Sequence, residues 1–423
     1  MTRRIALLIT VIVLTGPWSV SRWTARVFAS AKDTRAAGSV IRIVPRTGPP
    51  RIETLDGIGC SETICSHMFV RARVEGAEAK IRFDTIAAIE MLGGGDARVR
   101  FVDGTSRHVL VAADNRVLYL IDEAGRTKRL DLNGIDSIEF LPRTPWGDPD
   151  LQGVWSGVAS LLVPFDRDPA LGTRSELTEE EIRARLARQL KAGSPDNIEA
   201  TNFGVEPDLT PATSRQASLV VDPPNGRRPS RTPAAESRRP KRNSFVPGVF
   251  DSVADLGLFD RCIAFSTVPG VSPVNGIEIV QSPGYVAIRT EVIHEARVIP
   301  LDGRAHVDAS ITSYAGDSRG RWEGRTLVVE TTNVNGATAL TGDSAPLTAQ
   351  LSVVERYTLA DRDHLSYEAT IDDPGTWTRP WTLAFPRQRD QRHGLYEYAC
   401  HEGNYGLANI LRASRAADTI TSK

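Results

Sequence analysis

The chain has 423 residues, 41% of them apolar and 24% charged, with 51 Lys and Arg against 52 Asp and Glu. That length exceeds one ordinary hydrophobic core and predicts two domains with connectors. A formal net charge of −1 supplies no global field toward nucleic acid or an anionic membrane, so no nucleic-acid partner is expected.

The N-terminus opens Met1-Thr2-Arg3-Arg4, an apolar run covers residues 5–14, and Gly16-Pro17 ends it. A positive start, a short apolar centre and a helix breaker are the parts of a secretory signal. The run falls short of the about 20 apolar residues that a membrane span needs. A signal peptide over residues 1–31 is therefore expected, with a periplasmic or secreted destination; two cleavage sites fit the small-residue rule, Ala29-Ser30-Ala31, the better triplet, and Ser19-Val20-Ser21, which lies closer to the apolar run. An uncleaved anchor is the alternative. Four cysteines in an exported chain predict disulfides. The simplest pairing stays within domains, Cys60 with Cys65 and Cys262 with Cys400. No Cys-x-x-Cys pair exists, so the cysteines do not predict a zinc site.

Residues 38–142 read as a small duplicated β-domain. Ile86-Ala87-Ala88-Ile89-Glu90-Met91-Leu92 matches Ile135-Asp136-Ser137-Ile138-Glu139-Phe140-Leu141, and residues 69–81 match 118–130 at the same offset, with Gly76 on Gly125. Each copy reads as strand, Gly-containing turn, strand and a short apolar segment. Asp103-Gly104 marks a further hairpin. No acids, bases or ligands converge here, so a scaffold or adhesion role is expected for this unit.

Residues 143–204 predict an opening strand and one helix. Thr178 caps the helix, and Glu181 completes a capping box. Ile182, Leu186 and Leu190 share one face, while Glu179 with Arg183 and Glu181 with Arg185 are i,i+4 pairs. Residues 205–248 carry Arg227, Arg228, Arg231, Arg238, Arg239, Lys241 and Arg242 among many Pro and Ser. They read as a solvated connector in preference to an electrostatic patch for an acidic polymer or membrane surface, since no aromatics interleave to stack bases.

Strands dominate residues 249–412. They are expected at 277–281, 285–293, 296–300, 326–332, 351–359, 365–372, 381–385 and 395–401, joined by short Gly- and Pro-containing turns. A disordered tail is expected at 413–423. The expected fold class is mainly β: a duplicated N-terminal β-domain, then a C-terminal antiparallel β-barrel or sandwich of lipocalin-like type, with one or few helices.

Three constellations suggest chemistry. Gly316-Asp317-Ser318-Arg319-Gly320 fits the Gly-x-Ser-x-Gly nucleophile pattern, which works on a strand-to-helix turn. Here a turn and a strand follow, so a Gly-rich hairpin loop is expected instead. His294, His306, His401, Asp317, Glu323 and Glu402 supply imidazoles and carboxylates for acid–base or metal chemistry, but no close pair has metalloprotease spacing and no metal or cofactor is assigned. Alternation along residues 395–401 puts Tyr396, Tyr398, Cys400 and Glu402 on one face, and Glu397 and His401 on the other. Lastly, Trp155, Trp322, Trp377, Trp381, Tyr396 and Tyr398 suggest an apolar cavity. The candidate ligand-binding set is His294, Arg297, Asp317, Arg319, Trp322, Glu323, His401 and Glu402. The leading expectation is an exported protein that binds a small apolar or amphipathic molecule, or builds the envelope. The alternative is a metal- or acid/base-dependent hydrolase or lyase.

The second region resembles a group of exported bacterial proteins of unknown function. The likeness starts at Arg143-Thr144-Pro145 and Pro149-Asp150-Leu151-Gln152-Gly153-Val154-Trp155. It runs through Gly316-Asp317-Ser318-Arg319-Gly320-Arg321-Trp322-Glu323-Gly324 and ends with Tyr396-Glu397-Tyr398-Ala399-Cys400-His401-Glu402-Gly403-Asn404. Arg325 and Ser352 stand where the group usually has Asp and His. The resemblance covers roughly the last two-thirds of the chain; it implies a shared fold and export, and no activity. Gly153-Val154-Trp155 is more loosely similar to the Gly-x-Trp first strand of lipocalin-like barrels.

Overall fold

The computed structural model describes residues 39–58, 69–82, 86–112, 117–121, 127–160, 163–191, 214–238, 250, 252–264, 276–336, 347–390 and 394–421. The expected signal peptide, Cys60 and Cys65 lie outside these residues. The protein is mainly β, as its alternating apolar positions dictate, with two antiparallel sheets.

The first sheet is built from β1 (Ser39–Pro45), β2 (Arg51–Ile58), β3 (Phe69–Val74), β4 (Ala77–Arg82), β5 (Ile86–Gly93), β6 (Asp96–Phe101), β7 (Ser106–Val111), β8 (Val117–Ile121), β9 (Thr127–Asp131) and β10 (Ile135–Phe140). Their order is β4-β3-β7-β6-β5-β10-β1-β2-β8-β9. The internal repeat explains this order. β5 and β10 carry matching sequences and pair antiparallel at the centre, where Ile89 faces Ile138, its own counterpart. The hairpins β3–β4 and β8–β9, also counterparts, take the two outer ends. The sheet is thus pseudo-symmetric about the Ile89–Ile138 pair. Its buried core is apolar and includes Ile41, Ile43, Val70, Ile89, Val99, Val109 and Ile138.

The second sheet contains β11 (Gly153–Ser156), β12 (Val220–Asp222), β13 (Ile277–Ser282), β14 (Tyr285–Thr290), β15 (Ala296–Pro300), β16 (Asp317–Glu323), β17 (Thr326–Thr332), β18 (Ser352–Leu359), β19 (His364–Asp372) and β20 (Trp381–Arg389). Nine strands run in the order β15-β14-β13-β11-β20-β19-β18-β17-β16, and β12 pairs with β20. The sheet is barrel-like and nearly closed, because β15 and β16 at its two ends lie against each other. Gly320 makes that approach feasible: a Cβ there would meet Leu301 Cδ2 at 2.6 Å and Ile299 Cγ2 at 2.8 Å. The motif around Leu151 fastens the opening strand. Gln281 accepts a hydrogen bond from Leu151 N and donates one to Pro149 O, and the buried Trp155 indole donates to Leu151 O.

Several sequence expectations change. The Gly-rich stretch at Asp317 is strand β16, not a hairpin loop. Residues 395–401 form no strand, so the two-face reading of Glu397, His401 and Glu402 lapses. The stretch expected as a solvated connector is, over residues 214–238, docked onto the barrel. Val220 pairs with Leu383, Arg228 forms an ion pair with Asp166, and Arg238 donates to Gly375 O and Thr376 Oγ1. The Arg228 and Arg238 guanidinium groups thus find a carboxylate and a carbonyl, which a solvated linker would not supply. The expected disordered tail is instead helical to Thr421 in the helix Tyr405–Thr421. Asn404 Oδ1 accepts from Leu407 N at its start, and the buried Ser414 hydroxyl accepts from Phe250 N. In the helix Glu179–Lys191 the capping box forms as expected. Arg185, however, turns from Glu181 to Gln216 O and Ser214 O, and Glu181 pairs with Arg174.

Candidate functional site

The register of β16 to β20 stacks the inward side chains in layers. One layer is Trp322, Leu327, Tyr357, Tyr367 and Phe385, each directly opposite the next. The adjacent layer is Gly320, Val329, Glu355, Ala369 and Leu383, and beyond it lie Ser318, Thr331, Val353, Ile371 and Trp381. On the other side of the aromatic layer, Leu359 faces Leu365, which faces Arg387. A charged centre therefore sits in a mainly apolar interior, beside the buried hydroxyls of Ser318 and Thr331.

Glu355 is the hub of that centre. From β15, Arg297 donates to Glu355 Oε2 at 2.6 Å and to Oε1 at 3.1 Å. The Tyr357 and Tyr367 hydroxyls donate to the same Oε1 at 2.7 and 2.9 Å. Arg297 also reaches Thr331 Oγ1 at 3.4 Å, and Thr331 bonds Ser318 Oγ at 2.8 Å. Side-chain exposures of 4% for Arg297 and 0% for Glu355 leave little solvent to screen the pair. Burial opposes the charge on Arg297, but Glu355 outweighs it and holds the arginine pKa above its ordinary value. Burial, and then Glu355, push both tyrosines well above the usual phenol range. At neutral pH both phenols thus keep the protons they donate. Arg387 is fully buried, stacks 5.0 Å from the Phe385 ring and 5.5 Å from that of Tyr367, and burial lowers its pKa.

A second polar cluster lies at the start of β16. His306 Nδ1 is 2.8 Å from Asp317 Oδ2, which also accepts from Val307 N. Arg319 donates to the other Asp317 oxygen at 2.6 Å and to Ala305 O. These contacts pin residues 305–307 against the strand.

The candidate set is thus divided. Arg297 is in the barrel centre, and Asp317 and Arg319 meet His306 at the strand end. Trp322 packs against the core, while Glu323 turns outward to Arg321 and Arg356. His294 binds the segment after β20: Tyr398 N donates to its Nε2 at 2.7 Å. His401 and Glu402 are exposed in a turn. No three His, Cys, Asp or Glu side chains gather as a metal set among the described residues, so the six-residue cluster does not assemble there. Ser318 lies within a strand, buried and bonded to Thr331, which overturns the nucleophile reading. Trp155, Trp377 and Trp381 are core, and Tyr396 is 66% exposed, so these aromatics do not jointly line a cavity. Cys262 and Cys400 form the expected disulfide.

Sequence reasoning missed Glu355, Tyr357, Tyr367 and Arg387. The signal was present: Val353, Glu355, Tyr357 and Leu359 alternate, as do Trp381, Leu383, Phe385 and Arg387. A charge in the apolar phase of a strand marks a buried charge. Compared with known proteins, the chain matches no family model, no curated protein and no solved structure.

Proposed function

We propose that this is an exported protein that binds a small amphipathic molecule within its C-terminal barrel, with the molecule's polar end at the Arg297–Glu355 centre. The observation that carries this reading is the buried ion pair, held by two phenol hydroxyls, in a barrel interior that is mainly apolar. A buried ion pair is seldom the most stable filling of a core; apolar residues of similar volume are often as good or better. Polar groups set in an apolar surround are also how small-molecule sites fix orientation. Arg297 Nε and Trp322 Nε1 are buried N–H groups with no protein acceptor, which suits a ligand carrying an oxygen. Export is supported by the N-terminal charge and apolar pattern, by the Cys262–Cys400 disulfide and by the resemblance to an exported group.

Thermal unfolding of the purified full chain with decanoate, decanol and decane tests the reading. Saturable stabilisation by decanoate or decanol, weaker with decane, is expected. The variant R297M/E355L/Y357F/Y367F should still fold and should lose that preference. No stabilisation by any of the three, with no small molecule carried through purification on mass spectrometry, would overturn it.

One observation favours a second reading, acid–base catalysis. Asp317 orients His306 through Nδ1, the arrangement by which a carboxylate fixes a histidine base. Hydrolysis of an ester panel that disappears in H306Q would favour it over binding.

A further inference from the structure

The barrel wall is laddered everywhere except along one line. Each strand pairs antiparallel with the next, from β15 at one end of the order to β16 at the other. Nine alternating strands leave the first and last running the same way. β15 and β16 therefore meet as parallel neighbours, and they lie against each other with no backbone hydrogen bond between them. Side chains fill that seam. A Cβ on Gly320 would stand 2.8 Å from Ile299 Cγ2. From β15, Arg297 reaches Thr331 on β17 and Glu355 on β18.

Buried apolar residues cover both ends of the barrel. At the end with the β16–β17 and β18–β19 turns, Leu141 and Leu151 join the barrel core. There Leu141, Pro142, Arg143 and Pro149 share a small pocket with Arg325 and Leu359. At the other end, Leu347 and Trp377 are buried in the same core. Arg231 bridges Trp377 there, and Arg238 donates to Gly375 O and Thr376 Oγ1. Residues 301–316 return from the end of β15 to the start of β16 and so cross the seam. Leu301 N donates to Gly284 O, Arg319 donates to Ala305 O, and Asp317 accepts from Val307 N and holds His306. Asp317 and Arg319 are out of phase with the inward Ser318 and Gly320, so this crossover runs outside the wall.

We propose that the seam between β15 and β16 is the entrance of the barrel, opened by separation of those two strands. This rests on the binding reading above for what passes through it. Parting any other neighbours in the wall breaks a ladder of backbone hydrogen bonds. Parting β15 from β16 breaks none, and local opening follows the least protected part of a structure. The crossover is the clasp that keeps the two unladdered edges together. The seam also leads straight to the polar centre. Arg297 Nε on β15 and Trp322 Nε1 on β16 are buried N–H groups with no protein acceptor, so both seam strands offer a donor to an entering oxygen.

Two measurements on the purified full chain test the entrance. I299C puts a thiol on the seam, and A369C puts one on β19, which is laddered on both sides; both positions are 0% exposed. Alkylation by iodoacetamide is followed for each, with the wild-type background and the variant's global unfolding rate subtracted. I299C should react about tenfold faster or more, as a local opening requires. Equal rates overturn the opening. I299C/G320C locks the seam, since the 2.8 Å approach at Gly320 suits the about 3.5–4.5 Å Cβ separation of a disulfide. Decanoate uptake, followed by tryptophan fluorescence in stopped flow, should slow by about tenfold or more once that disulfide forms. Unchanged uptake in the locked protein overturns the entrance. Absence of decanoate binding to the wild type removes the binding reading, and the alkylation ratio still decides whether the seam opens.

Discussion

The two sheets obey the same alternation and bury different things. In the first sheet, no buried polar or charged residue occurs among the described residues 39–141, and Ile, Val and Ala fill the core. In the barrel the same inward phase delivers Arg297, Glu355 and Arg387 with two tyrosines. The first sheet is a duplicated, self-paired scaffold whose order follows from its repeat. The barrel has no such repeat, and it keeps a charged centre that burial makes costly to disturb. Stability alone explains the first filling. The second is what the proposed binding role would use, because a buried charge network is costly in desolvation and specific in geometry.

Five measurements break or sharpen that contrast. The largest effect is expected from E355Q. It leaves the Arg297 guanidinium buried without its counter-charge, so denaturant unfolding should show a loss of about 3–5 kcal/mol. A loss near that of a trimmed methyl would erase the difference between the sheets. Next, C262S/C400S opens a link across 138 residues and should cost about 2–4 kcal/mol, read as a lower unfolding midpoint under non-reducing conditions. Y367F removes one hydroxyl donor to Glu355 and should cost about 1.5–3 kcal/mol, the range for hydrogen bonds to charged groups. Its non-additivity with Y357F in a double-mutant cycle would show that the centre acts as one network. I138V, at the pseudo-symmetry centre of the first sheet, removes one methylene and should cost about 0.5–1.5 kcal/mol, with no coupling to E355Q.

The smallest effect concerns pH and lies outside both cores. The Arg174 hydrogen bond, and then the Thr178 backbone N–H, hold Glu181 at about 2, below its ordinary 4.5. A depressed carboxylate contributes its stability in full above pH 4.5 and loses it as pH falls toward 2. The melting-temperature gap between wild type and E181Q should therefore be small at pH 6 and close by pH 2. A gap that widens on acidification would contradict this assignment.

Alternation, turn residues and the internal repeat made much of the fold legible in the sequence. The mainly β class, the duplicated first unit, the Thr178–Glu181 capping box and the Cys262–Cys400 pairing were all readable, because each depends on local spacing or on the count of cysteines. Local spacing misled where a segment is held by distant partners. Residues 395–401 alternate like a strand, yet His294 and Cys262 fix them as a strap. Residues 214–238 have a linker's composition, yet Asp166, Leu383 and Thr376 dock them. The Gly-rich residues 316–320 look like a loop, yet closing the barrel requires a glycine on a strand at Gly320.

The candidate site divides the same way. The sequence by itself supplied Arg297 and the pair Asp317 and Arg319 as polar residues in a strand-rich region, and it carried Glu355 and Arg387 in the apolar phase of their strands. Only the tertiary structure decided that Arg297 meets Glu355, 58 positions further along the chain, while His294, His401 and Glu402 go elsewhere. The physical reason is that pairing across strands depends on register and on how the sheet closes, and neither is a property of any short stretch of chain.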